Sequence, residues 1–150
     1  MELLNDVDST LYKDTLEKQI KYISNRLVTI RNRYIDDPVG LCGTKEIIAK
    51  HLNKGPAQNL IHTFFKYTTD KCMVCNKSKN DEGVRQFERA HCNNYSRYDL
   101  LLLAVNDLYV DENTPIKSGD ILRLFIKKHT LCPIYILCNI CHNKYDSRIL

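Results

Sequence analysis

A chain of 150 residues, 43% of them hydrophobic, can bury one core of ordinary size. That fits a single globular domain, or a small helical unit joined to a metal-stapled one. A net charge of +4 suits a polyanionic partner without requiring one. The longest apolar run, Leu100 to Val105, falls far short of the ~20 residues that cross a bilayer, and Met1-Glu2-Leu3-Leu4 lacks the basic start of a signal peptide.

Residues 1–36 read as helix. Asp8 or Ser9 can cap it, and Leu11, Leu16, Ile20, Ile23, Leu27 and Ile30 approximate one apolar stripe. Lysines and arginines decorate its other faces, as on an ordinary solvated helix. Asp36-Asp37-Pro38 should end it, because proline disfavours helical geometry in the residue before it. Thr44 is a plausible cap for a second helix with Ile47, Ile48 and Leu52 inward. Asn53-Lys54-Gly55-Pro56 is a turn, and Ala57 to about Tyr67 is a third helix facing the core through Leu60, Ile61, Phe64 and Phe65. Two helices around a glycine turn can read DNA, but a plain helical hairpin packed on the core is the favoured reading, since length and turn chemistry are all that support the other.

Asp70 to Lys77 is a knuckle with Cys72 and Cys75 on a tight turn. Val84 to His91 alternates like a strand, with Glu88 and Ala90 on one side and Arg89 and His91 on the other. Arg97 to Val110 reads as helix, and 111–115 as loop. Ser118 is expected to cap a helix that runs to about His129. Leu131 to Leu137 reads as strand, and Cys141 to Arg148 as the last helix.

Seven cysteines is an odd number, and with no export signal they do not suggest a disulfide framework. Four fall in two Cys-x-x-Cys pairs, Cys72/Cys75 and Cys138/Cys141, separated by 62 residues. Four thiolates complete a tetrahedral structural zinc, and so wide a gap makes the pairing tertiary. A redox dithiol would need a thioredoxin-like context, which is absent from the pattern.

His51, His62 and His129 read as surface or core histidines. His91 and His142 stand in different company. If the last helix begins near Cys141, His142 and Asp146 share a face four residues apart, where an imidazole nitrogen and a carboxylate oxygen can hold a divalent metal such as Mg²⁺. His91, where a strand runs into a loop, can then act as general base on a water.

A strand ending in His91, then Leu137-Cys138-x-x-Cys141-His142-x-x-Tyr145-Asp146 opening a helix, resembles the HNH or His-Me finger (ββα-metal) endonucleases. The likeness is to the subgroup whose two Cys-x-x-Cys knuckles bind a structural zinc, and it covers about residues 70 to 148. It implies an α+β fold: a zinc-binding HNH-like domain over 69–150 behind a helical extension over 1–68. It implies phosphodiester hydrolysis in nucleic acid, DNA ahead of RNA, with His91 as base and His142 and Asp146 as ligands of the catalytic metal. Arg89, Arg97, Lys144 and Arg148 are candidate phosphate contacts. The expected setting is intracellular and soluble, cytoplasmic or nuclear and without a membrane partner; a homodimer is compatible with the family.

The chain departs from the family pattern in three places. Ala90 stands where an aspartate ligand often precedes the base, with Glu88 two residues back as a candidate substitute. Pro133 falls near the family's middle asparagine, a role Asn93 or Asn94 can take. The segment between His91 and the last strand is long and helical. Two rival readings follow: a non-catalytic zinc module that binds nucleic acid or protein, and a thiol-redox protein using one Cys-x-x-Cys pair.

Overall fold

The computed structural model describes residues 9–65, 71–90, 95–130 and 134–149. Among the described residues, six α-helices and four short strands run in the order α1 (Ser9–Arg26), β1 (Gly40–Leu41), α2 (Lys45–Asn53), α3 (Pro56–Phe65), β2 (Phe87–Ala90), α4 (Arg97–Leu108), β3 (Ile116–Lys117), α5 (Ser118–Lys127), β4 (Tyr135–Cys138) and α6 (Asn139–Ile149). The content is α+β, as expected. The strands form two separate antiparallel pairs, β1 with β3 and β2 with β4.

The helical part is built on conventional local signals. Thr44 caps α2 by accepting from Ile47 N at 3.2 Å. Ser96 and Asp99 form a reciprocal capping box at the start of α4, which satisfies two otherwise orphaned backbone donors. Leu52 on α2, Leu60 and Phe64 on α3, Leu101 and Val105 on α4, and Leu122 and Phe125 on α5 share one buried core. α2 packs on α4, α4 on α5, and α3 on α5. The helices before and after position 68 are therefore continuous in their core.

Three features of the helical part differ from the sequence expectation. The first helix stops at Arg26, not at Asp36. Asn32 Oδ1 accepts from Tyr34 N, and Asp36 Oδ2 accepts from Asn32 N. Such side-chain bonds offer the backbone an alternative to the helix. The chain turns, and Ile30 and Ile35 both reach the core. Ser118 does not cap α5. It is the first helical residue, Lys117 occupies the cap position without a side-chain bond, and Ser118 Oγ is buried with no hydrogen-bond partner. Ile47, expected inward, is 60% exposed, while Ile48 and Ala49 point into the core.

The β2–β4 pair carries the site. Its register sets Phe87 opposite Cys138, Glu88 opposite Leu137, Arg89 opposite Ile136 and Ala90 opposite Tyr135. All four β4 residues are buried; a strand covered on both faces reads as continuous apolar sequence. The pair is anchored from both sides. Gln19 of α1 is fully buried and clamps Ile134, its Nε2 donating to the carbonyl at 2.6 Å and its Oε1 accepting from the amide at 3.2 Å. Met73 N, in the first knuckle, donates to Ile136 O at 3.0 Å.

Candidate metal centre and adjoining groove

The first knuckle is a tight reversal. Cys72 N donates to Lys77 O and Asn76 N to Cys72 O, both at 3.0 Å. Asn76 takes the left-handed conformation, with φ of 62°, which asparagine tolerates better than most residues. The second knuckle joins the end of β4 to the first turn of α6. Asn139 holds that junction: its Oδ1 accepts from Arg85 N at 2.8 Å, and its own N donates to Gln86 O at 3.1 Å.

These two turns bring Cys72, Cys75, Cys138 and Cys141 together, with all four sulfurs within 4.8 Å of one another. Cys75 Sγ and Cys138 Sγ are 3.8 Å apart. A disulfide needs ~2.05 Å, so these are thiols. Metal–sulfur bonds of ~2.3 Å in a tetrahedron place sulfurs about 3.8 Å apart. The set therefore fits one thiolate-bound metal ion.

The protonation balance agrees with a site made for a cation. Burial pushes the Cys141 thiol far up, helped by the neighbouring Cys72. Cys75 is also raised, again chiefly by burial. Cys72 goes the other way. Burial opposes its ionisation but is outweighed by backbone hydrogen bonds at Cys138, Cys75 and Val74. Burial and the neighbouring sulfurs thus oppose ionisation of Cys75 and Cys141, a cost that a bound cation offsets. Backbone donors also support two sulfurs: Val74 N lies 3.4 Å from Cys72 Sγ, and Cys141 N lies 3.5 Å from Cys138 Sγ.

One helical position beyond Cys141, His142 Nδ1 meets Glu88 Oε2 of β2 at 3.1 Å. The side chains are 19% and 28% exposed, enough burial for the contact to count and enough access for chemistry. Both border an open groove of about 930 Å³, whose wall also includes Lys54, His62, Arg89 and Arg97. Three fixed cations face one carboxylate there. Arg97 Nε donates to Asn53 Oδ1 at 2.9 Å, and burial lowers its guanidinium pKa without discharging it. The Arg89 guanidinium lies 3.1 Å from His62 Nδ1. Since a guanidinium only donates, this ring nitrogen accepts, and the His62 proton sits on Nε2.

The site residues named from sequence separate here. The four cysteines come together, as do His142, Arg89 and Arg97 around the groove. Lys144 is exposed on α6, away from the groove wall. Asp146 and Arg148 lie on α6, but their side chains fall outside those described, and His91, Asn93, Asn94 and Pro133 lie outside the described residues. His129 is a core residue, its Nδ1 2.9 Å from Phe125 O and its ring edge-on to Phe125. His62 reads as an ordinary surface or core histidine in sequence; its contact with Arg89 of β2 brings it to the groove. No sequence signal marked Lys54 or Asn53 either, since each reads as an ordinary turn residue.

No protein-family model, curated protein or solved structure matches this chain. Among the described residues, no helix is long and apolar enough to cross a membrane.

Proposed function

We propose that this chain is a metal-dependent endonuclease of the HNH or His-Me finger type, acting on DNA, with zinc at its four cysteines. The observation that carries this reading is the place of the Glu88–His142 pair. It lies on an antiparallel strand pair and the helix that follows, one residue past the last thiol ligand, inside a groove of net positive charge. Four thiolates in a tetrahedral set favour zinc or an iron–sulfur cluster. Zinc is preferred because the resemblance supplies it, and because a single ion accounts for the sulfur spacing.

The chain's own residues divide the work as follows. Glu88 accepts from His142 Nδ1–H and so fixes the tautomer with the lone pair on Nε2, the state a metal ligand needs. Asp146, one helical turn on, supplies a second ligand. Arg89, Arg97 and Lys54 hold the phosphate backbone. His91 takes the proton from the attacking water; the water oxygen bonds to phosphorus, and one P–O ester bond breaks. A bound divalent ion supplies charge stabilisation at the phosphoryl oxygens.

The test is cleavage of plasmid DNA with Mg²⁺, Mn²⁺ or no added metal, comparing the wild type with His91→Ala and His142→Ala, with metal analysis on the same preparations. Nicking that needs a divalent ion and is lost in both variants, with about one zinc retained per chain, supports the reading. Zinc without cleavage favours the second reading, a binding module that keeps the scaffold and lacks the chemistry. The feature favouring that alternative is Ala90, buried against the core where the family often has a ligand. A chain that holds no metal and cuts nothing overturns both.

A further inference from the structure

We infer that the groove takes unpaired DNA, one or more nucleotides out of the base stack, in preference to intact duplex; this rests on the nuclease reading and narrows its substrate. The groove combines two kinds of surface. Its cations, Lys54, Arg89 and Arg97, suit phosphates of any nucleic acid. Its remaining wall includes the rings of Tyr34, Phe87 and Tyr98, together with the amides of Gln58 and Gln86.

All three rings are half-buried and pack in part against the core. Tyr98 sits in the first turn of α4, directly after Arg97, which Asn53 fixes. Tyr34 carries the Arg33 guanidinium 4.6 Å from its ring centroid. Phe87 opens β2 opposite Cys138, so the metal centre and this ring share one strand pair.

Intact duplex offers a protein its phosphates and base edges, while the base faces stay inside the stack. Rings that flank cations have no face to meet on such a substrate. A base that has left the stack presents a face to an aromatic side chain and its pairing edge to amides. Cations and rings sharing one groove are the pattern of single-strand binding, where stacking tolerates any sequence. The groove thus discriminates by strand state.

The experiment measures binding by fluorescence anisotropy with no divalent ion added. The full-length protein is titrated against three labelled oligodeoxynucleotides: a single strand, the same strand in duplex, and a single strand of abasic sites. The expected result is binding to the single strand at least about tenfold tighter than to duplex, with the abasic strand reduced by about five- to a hundredfold. Tyr98→Leu should lower single-strand affinity toward the abasic level and leave duplex affinity alone, and Tyr98→Phe should restore it. Equal affinity for single strand and duplex, or for normal and abasic strands, overturns the inference while metal-dependent cleavage leaves the nuclease reading standing. If Tyr98→Leu fails to fold, the abasic comparison on the wild type still decides. Failure to bind any of the three, with no cleavage, overturns both.

Discussion

Glu88 and His142 meet through one contact, and that contact makes a sharp demand. If Glu88 orients the imidazole, Glu88→Gln keeps the acceptor oxygen and removes the charge. Partners of this kind are worth about 10- to 100-fold in metal affinity or activity. Cleavage by Glu88→Gln should fall by that factor while zinc content and melting temperature stay put; an unchanged rate would remove Glu88 from the mechanism. The thiols make a second demand. Cys75 and Cys141 are raised by burial, and a thiol must lose its proton to bind metal. Metal binding therefore releases protons, and metal affinity must weaken as pH falls. Release of the ion to a chromogenic chelator should rise steadily on acidification, and Cys141→Ser should lower retention at every pH. Flat, pH-independent retention would argue against thiolate ligation.

At the scale of elements, capping and close approach decide the helices. The Ser96–Asp99 box stands at the N-terminus of α4, beside the groove. Ser96→Ala should cost about 1 kcal/mol in denaturant unfolding and loosen the end that presents Arg97 and Tyr98. Gly119 in α5 is more exacting. A Cβ there would lie 2.0 Å from Ile35 O, a backbone atom that cannot turn aside. Gly119→Ala should therefore destabilise by about 1–3 kcal/mol or more, as overpacking does, although alanine is the better helix former. A neutral result by calorimetry would mean that the 30–37 segment yields easily. That segment reads as helix in sequence but turns in the fold: Asn32 and Asp36 bond locally to the backbone, and the apolar spacing of Leu27 and Ile30 looks helical whether or not the chain turns.

For the whole molecule, one apolar core is held together in two ways. Helices α2 to α5 close around apolar side chains from both halves of the chain. The strand pair and its knuckles depend on four sulfurs brought together across 62 intervening residues. Metal removal should therefore act unevenly. A strong chelator should release the ion and abolish hydrogen-exchange protection over β2, β4 and the 71–78 turn, while α4 and α5 remain protected. Loss of all protection at once would mean that the helices depend on the metal as much as the strands do.

The sequence by itself determined the elements whose signals are local. Thr44 caps, Gly55-Pro56 turns, and the apolar faces of α3 and the Cys-x-x-Cys spacing are all readable from neighbours within a few residues. It also singled out the four cysteines that come together, because thiolate chemistry leaves few other uses for two such pairs. Tertiary structure alone decided what lies between distant segments. Gln19 clamps a backbone 115 residues away, Glu88 reaches His142, and His62 meets Arg89 across the groove. A polar side chain on a helix or strand looks the same in sequence whether it faces water or a partner. Only packing, which sets distance and dielectric, separates the two.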